Sequence, residues 1–525
     1  MATLLTLVVF AFLYLKAAPR GPYDPAPAVT AAVLPHIAAG FDPAQSGYQQ
    51  FGRYLWNALQ LDFGPSFRFR DYTVAELLFR GAPITLAIVA CALLLAVALG
   101  LVAGCAAGRY KRSWVDRGVS ALAMIWLFVP VFVLAPLLQL VFAVGLRWLP
   151  IAGWDGGWQH MLLPVLALAL PLAVAVGRLV RRRLSDVASV EPSIRHRIGI
   201  ALDAVSTRLG TLLSAALALS IPLERAFSLP GTGRYVAQGG TSQDYPLLAG
   251  AVLFYGGIVV LVSLAGDLLR FALRGGEEAA ISAQNPSWAI LRRDPIAVAG
   301  AGLFLAAAAA CFTLPALLPS TLQDQDYNAV LTGPSFTSGH LLGADELGRD
   351  LLLQLLLCGG GSIRTALVVA AVAGAILAVW RFAEAGGGLP LRRWGGLLQG
   401  VLDAVPFLLL AIVLRGWWPA QVSSPAASTI SLVWLVLWLA LRCRWPVRRA
   451  ICTAIPASLV GETYLAYYHV SASEPLTTLG GLLDAGLGNM DGTPWQVLTT
   501  LAAIILVAGS AALVSARMRG NSAPG

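Results

Sequence analysis

Residues 83–107 read PITLAIVACALLLAVALGLVAGCAA, an unbroken run from Pro83 to Ala107 without one charged side chain. A helix needs ~20 apolar residues to cross a bilayer. Arg109, Lys111, Arg112 and Arg117 follow at once, and such side chains do not enter hydrocarbon. The stretch is therefore a membrane span with one basic end. Working outward, Val119–Leu146, Met161–Val180, Leu209–Phe227 and Leu247–Leu273 have the same character, and residues 2–15 read as a short first span, with a signal peptide as the alternative. Arg274–Arg293 breaks the series with Gly-Gly-Glu-Glu and Asn-Pro-Ser, a linker composition. Ile296–Leu318, Ala366–Trp380, Leu397–Leu414, Thr429–Leu441, Ile451–Tyr468 and Trp495–Ser515 resume it. The fold class is an all-α polytopic membrane protein of about twelve transmembrane helices in two six-span halves of the same orientation. The halves are 1–275 and 296–525, joined by a cytoplasmic linker, 276–295.

Composition agrees. Of 525 residues 58% are hydrophobic and 12% charged, against about 25% charged in soluble domains. That excludes a soluble enzyme, a disordered chain and a nucleic-acid binder. The net charge of +9 comes from arginines at the ends of apolar runs, so it reports orientation, with membrane lipid as the partner and no nucleic acid. Arg178, Arg181–Arg183, Arg270, Arg274, Arg292, Arg293, Arg381, Arg392, Arg393, Arg442, Arg444, Arg448, Arg449, Arg517 and Arg519 all fall on one side if the spans alternate. That side is cytoplasmic, with both termini there, in an inner (cytoplasmic) membrane. The opposite side holds Ala17–Gly81, Arg147–His160, Ser228–Pro246, Pro319–Arg364 and Val470–Pro494. The long ones read as folded caps. Cys358–Ser362 (CGGGS) reads as a flexible approach to its span.

The six cysteines and five histidines show no C-x-x-C pair and no metal-ligand spacing. No G-x-x-x-x-G-K-[ST] run is present, so the chain is not its own ATPase. No Ser/His/Asp or Cys/His set stands out. The expectation is no enzyme, no metal and no cofactor in this chain.

Several motifs together carry a resemblance. Leu61–Phe67 (LDFGPSF) with Asp71–Val74 (DYTV), Arg147–Pro150, Gly153–Gly157, Leu163-Pro164, Ser228–Gly233 (SLPGTG) and Asp244–Pro246 (DYP) resemble the oligopeptide permease B subunit. His340–Asp350 (HLLGADELGRD), Glu474–Leu476, Gly480–Asp484 and Thr493–Trp495 are similar to the C subunit. The resemblance is to permeases of peptide/nickel-type ABC importers, here as a fused B-like and C-like pair. It implies a pathway between the halves, a substrate-binding protein on the outside, and two ATPase subunits that alone bring ATP. It also implies cytoplasmic coupling loops with an "EAA…G" pattern. Here the first half offers only a remnant containing Glu191, Ser193, Arg195, Arg197 and Gly199. The second has a short turn with Arg444, Arg448 and Arg449 around Pro446. Either the ATPases dock differently on a divergent chain, or the chain has lost coupling and serves as a scaffold or partner-binding subunit of another complex.

Ionisable groups in membrane are usually functional or paired. Glu462, among tyrosines, is the better candidate for a pathway or a buried pair. Asp403 is either a pathway residue or reaches cytoplasmic solvent. Asp345, Arg349 and Asp350, with Asp71 and Asp155, are cap candidates. They hold the external loops together or receive the binding protein. Glu224-Arg225 reads as an ion pair.

Overall fold

The computed structural model describes residues 2–18, 21–22, 41, 45–69, 71–109, 130–155, 157–186, 194–274, 295–318, 324–335, 340–386, 404–406, 409–410, 412–413, 425–442, 447–467, 478–488 and 494–517. Within them the chain is all-α. Two isolated antiparallel bridges, Pro65 with Thr73 and Ala344 with Asp350, are its β pairings.

The helices, in chain order, are α1 (Ala2–Ala17), α2 (Gly47–Leu59), α3 (Val74–Arg109), α4 (Val131–Leu138), α5 (Trp158–Asp186), α6 (Ile194–Ser206), α7 (Leu209–Ala226), α8 (Thr232–Ser242), α9 (Tyr245–Arg274), α10 (Pro295–Thr313), α11 (Leu351–Gly386), α12 (Pro425–Arg442), α13 (Val447–Tyr467), α14 (Leu479–Gly488) and α15 (Pro494–Arg517). A π-helical turn, Gln139–Gly145, continues α4. Among the described residues seven helices are long and apolar enough to cross a membrane: α3, α5, α7, α9, α10, α11 and α15. The first apolar run is the 16-residue α1. Most of the Leu397–Leu414 run, including Asp403, lies outside the described residues, as does nearly all of the linker.

Two expectations are corrected. Membrane-spanning helices begin earlier than their apolar runs. Helix α3 starts at Val74 because Thr73 and Glu76 form a reciprocal cap, Glu76 Oε2 accepting from the Thr73 amide at 2.8 Å and Thr73 Oγ1 from the Glu76 amide at 3.2 Å. Helix α11 starts at Leu351, so Leu351–Arg364 is helix and not external loop. Cys358–Ser362 is therefore helical. Its glycines serve close packing: a Cβ on Gly359 would stand 2.8 Å from Cys311 Sγ. Helices α3 and α11 are each 36 residues long, about 54 Å at 1.5 Å per residue. Both outrun the ~30 Å hydrocarbon layer.

The chain divides into two compact units. One comprises Met1–Leu127, Leu134–Ala279 and Arg392–Pro419, the other Phe128–Val133, Ala280–Leu391 and Ala420–Gly525. In the first, α3 and α5 form the tightest pair. A Cβ on Gly100 would lie 2.6 Å from Val176 Cβ, and one on Gly104 2.8 Å from the Gly177 carbonyl. Small residues four apart let two backbones approach where lipid gives no hydrophobic drive. Val176, Val180 and Leu184 of α5 continue the contact onto Ala201 and Val205 of α6 and Leu212 of α7. In the second unit, Cys311, Leu356, Ile363, Leu459, Val507 and Ala508 bring α10, α11, α13 and α15 onto one core. Gly300 on α10 lets Leu513 of α15 approach, a Cβ there standing 2.8 Å from Leu513 Cβ.

Candidate functional site

The first unit buries a carboxylate inside an apolar helix. Glu224 lies near the end of α7 and is fully buried. Its Oε1 accepts from Thr85 Oγ1 of α3 at 2.7 Å, and its Oε2 from the Arg234 amide at 3.2 Å. The Gly233 amide donates to it as well. Thr85 Oγ1 in turn accepts from the Thr232 amide at 2.9 Å. The first three amides of α8 are thus satisfied by side chains of two other helices. The local N-cap, Gly231, has no side chain, and a Cβ there would fall on the Glu224 carboxylate. A helix N-terminus leaves unpaired N–H groups and a partial positive charge, and an anion answers both. The expected Glu224–Arg225 pair is corrected by this arrangement: Glu224 turns inward and Arg225 is exposed.

The second unit holds Glu462 on α13, also buried. Ser362 of α11 donates to it, and Ser362 Oγ accepts from the Leu479 amide, the first of α14, at 2.9 Å. Here the helix has its own cap, since Thr478 Oγ1 accepts from the Gly481 amide at 3.2 Å. Glu462 Oε1 has no hydrogen-bond partner among the described residues. Two residues on, the Tyr464 hydroxyl accepts from the Val131 amide at 3.1 Å. Phe132 stacks on Tyr467 with ring centroids 4.6 Å apart. Among the described residues Glu462 is thus hydroxyl-bonded rather than charge-paired.

The cap candidates separate. In His340–Asp350, Asp345 is buried and accepts four bonds: from the Leu347 and Arg349 amides at 2.9 Å, from Arg349 Nε at 2.8 Å and from Gln354 Nε2 at 2.8 Å. Asp350 caps α11 through the Leu352 amide at 3.3 Å, and its Oδ1 lies 3.7 Å from His340 Nδ1. Gly343 and Gly348 hold positive φ (86° and 72°) to make the turns. Their charges are spent on the loop itself. Asp71 is exposed. Asp155 is exposed too. Its Oδ1 accepts from the Gly157 amide at 2.7 Å and its Oδ2 lies 3.1 Å from His160 Nε2. The Gly157 bond, with the nearby His160, holds its carboxyl below the usual aspartate value.

Sequence reading missed Asp244. It is buried at the start of α9, and Ser66 donates to its Oδ2. The amides of Arg68 and Leu247 donate to it at 3.1 and 3.2 Å. Burial still pushes its carboxyl above the ordinary aspartate value. The DYP motif was visible; its partner, 178 residues away, was not.

Of the coupling candidates, Glu191, Ser193 and Arg444 lie outside the described residues. Arg195, Arg197 and Gly199 fall on α6, a 13-residue helix. It buries Ala201 and Val205 and presents Ile198 (47% exposed) and Leu202 (44%) one turn apart. Among the described residues nothing lies within 4 Å of a Cβ added at Gly199. Arg448 and Arg449 fall in the first turn of α13, which starts only five positions after α12 ends at Arg442.

Long apolar helices that bury carboxylates among the described residues define a class, the polytopic membrane protein. Residues 96–192 match the family described as binding-protein-dependent transport system inner membrane component. The chain is 32% identical to the oligopeptide transport system permease protein OppB of Salmonella typhimurium over 282 residues, covering 51% of this chain and 92% of that protein. It is 30% identical to the dipeptide transport system permease protein DppB of Bacillus subtilis (51% and 91%) and 31% identical to the glutathione transport system permease protein GsiC of Salmonella paratyphi A (52% and 93%). The chain belongs to this family of ABC importer permeases, multi-pass proteins of the inner membrane.

Proposed function

We propose that the chain is the membrane permease of an importer for peptides or related small solutes, with a B-like half (1–275) and a C-like half (296–525) in one polypeptide. Twelve spans, cytoplasmic termini, an external binding protein and cytoplasmic ATPases complete this reading. The observation that carries it is the alignment of about half the chain with more than nine-tenths of three permeases named for peptides or glutathione. A fused pair fixes its own stoichiometry, because a linker makes the second association intramolecular.

Helix α6 is the surface that receives an ATPase. A helix that buries one face and leaves Ile198 and Leu202 in solvent offers an apolar ridge beside an open glycine. The test is mild-detergent purification of the tagged chain from its host, with mass spectrometry of what accompanies it, together with uptake of a labelled tripeptide by the deletion strain. Stoichiometric P-loop ATPases and loss of uptake support the reading.

A second reading is a permease fold kept as a scaffold. It is favoured by the second half, where four residues separate α12 from α13 and leave no length for a counterpart of α6. Absence of ATPases, with another protein in constant ratio, would establish it.

A further inference from the structure

The two units build the same device and set it differently. Thr85 stands eleven residues after the first residue of α3, and Ser362 stands eleven after the first residue of α11. Each hydroxyl bonds a buried glutamate, Glu224 or Glu462, and each accepts the first amide of a short helix, α8 or α14, at 2.9 Å. In the first unit the carboxylate goes on to cap the second and third amides of α8. In the second, Thr478 takes the third amide of α14, and a carboxylate oxygen is left buried without a partner.

Leaving a buried acceptor unpaired costs about 1–3 kcal/mol. The cost persists only if some other arrangement uses the group or the surroundings hold it. An arrangement that uses it is visible in the same molecule, at α8. The approach is sterically open to small residues only, and small residues stand there. The second residue of α14 is Gly480, where a Cβ would lie 2.9 Å from the Glu462 carbonyl and 2.9 Å from Thr463 Cα. The second residue of α8 is Gly233, where a Cβ would lie 2.7 Å from Ile221 Cα.

We propose that α14 is a two-position helix. In one position its first turn is capped by its own Thr478. In the other it shifts onto Glu462 and is capped by the carboxylate, as α8 is by Glu224. Ser362 is the pivot common to both, and Glu462 is a positioning residue. A helix with two competing caps has two states, and a bound solute or partner that favours one of them shifts the balance. If the loops containing α8 and α14 face outward, as the arginine distribution implies, α8 is the fixed and α14 the moving element on the outer side. This goes beyond the importer reading and does not depend on it.

A double-mutant cycle tests it on the purified full-length chain, read by hydrogen–deuterium exchange of the α14 amides. With two alternative caps, losing either is buffered by the other. Glu462→Ala alone is expected to change protection of residues 480–482 by less than twofold and Thr478→Ala alone by a few-fold. Together they should raise exchange at least tenfold beyond the product of the single effects. Glu462→Gln in the Thr478→Ala background should restore protection, because its amide oxygen still accepts. Single effects that simply multiply overturn the proposal. So does failure of Glu462→Gln to rescue. Should the double alanine variant not fold, Thr478→Ala with Glu462→Leu, which keeps the side-chain bulk and removes the acceptor, takes its place against Thr478→Ala with Glu462→Gln, protection lost in the first and kept in the second. Loss of peptide uptake in the host bears on the importer reading alone, and the exchange cycle on α14 alone.

Discussion

Gly64 and Gly343 occupy the same structural position in two unrelated stretches of sequence. Each has φ near +85° (85° and 86°). Each is followed by a residue in an antiparallel bridge whose partner immediately precedes a 36-residue helix. Each gives its carbonyl to the first amide of that helix, Val74 at 3.0 Å and Leu351 at 3.1 Å. The parallel continues one residue on. Ser66 accepts from the amides of Arg68 and Phe69 as Asp345 accepts from those of Leu347 and Arg349. At this position a hydroxyl and a carboxylate do the same work.

This fixes a ranking of glycine replacements. A left-handed backbone costs an L-residue about 1–2 kcal/mol. At Gly343 a Cβ would also stand 2.5 Å from the Thr332 carbonyl, which is backbone and cannot swing aside. At Gly64 the obstacle is the far edge of the Phe41 ring, and at Gly153 (φ 92°) nothing lies within 4 Å. Gly343→Ala should lower the melting temperature in detergent most, Gly64→Ala less and Gly153→Ala least. Equal losses at 343 and 153 would refute the steric part of the argument.

Asp345 is expected to act through the fold. Asp345→Ala strands four donors, the Arg349 guanidinium among them. Breaking one side of a buried ion pair costs about 3–5 kcal/mol. The variant should lose folded protein by fluorescence-detected gel filtration, and any uptake should scale with what remains. The double variant Asp345→Ala, Arg349→Ala should recover part of the loss. Full folding with uptake abolished would instead assign Asp345 to contact with a partner.

Seven spans were legible because burial in lipid demands long uncharged runs, and α3, α5, α7, α9, α10, α11 and α15 lie over such runs. Their starts were less so: Val74 and Leu351 begin helices by virtue of caps and bridges that bring together residues eight and six positions apart. Cys358–Ser362 read as a flexible approach because glycine is a poor helix former in isolation. Packing against Cys311 and Phe312 reverses that preference. Glu462 was legible as a buried acid. Thr85 and Ser362, the hydroxyls that bond Glu224 and Glu462, carry no signal of their own, since a lone hydroxyl in an apolar run is commonplace. Nor did the arginine-rich remnant announce α6, whose buried face is made of Ala201 and Val205.

The α6 ridge gives a prediction of function without stability. Ile198→Asp with Leu202→Asp changes two half-exposed side chains, and exposed substitutions away from caps and cores stay within about ±0.5 kcal/mol. The melting temperature should hold, while ATPase retention on the purified chain and ATP-driven uptake fall at least tenfold. Retention unchanged in the double variant would place the ATPase elsewhere.

The pH dependence of stability turns on Asp244. Burial raises its carboxyl above the value it has in an unfolded chain. The folded state therefore holds a proton that the unfolded state gives up, and stability falls as pH rises between the two values. The contribution is complete below the ordinary aspartate range and gone once pH passes the raised value, with a slope of at most about 1.4 kcal/mol per pH unit. Asp244→Asn cannot titrate. It keeps one oxygen for the amides of Arg68 or Leu247 and loses the other, so it should be less stable at every pH. The informative quantity is the difference from wild type. Melting temperatures from pH 4 to pH 8 should show the wild-type advantage shrinking as pH rises, with Asp155, whose carboxyl is lowered, adding only a loss at the acidic end common to both proteins. An advantage that grows with pH would mean that Asp244 is held as a carboxylate by Ser66 and its amides, and that the hydrogen bonds outweigh burial.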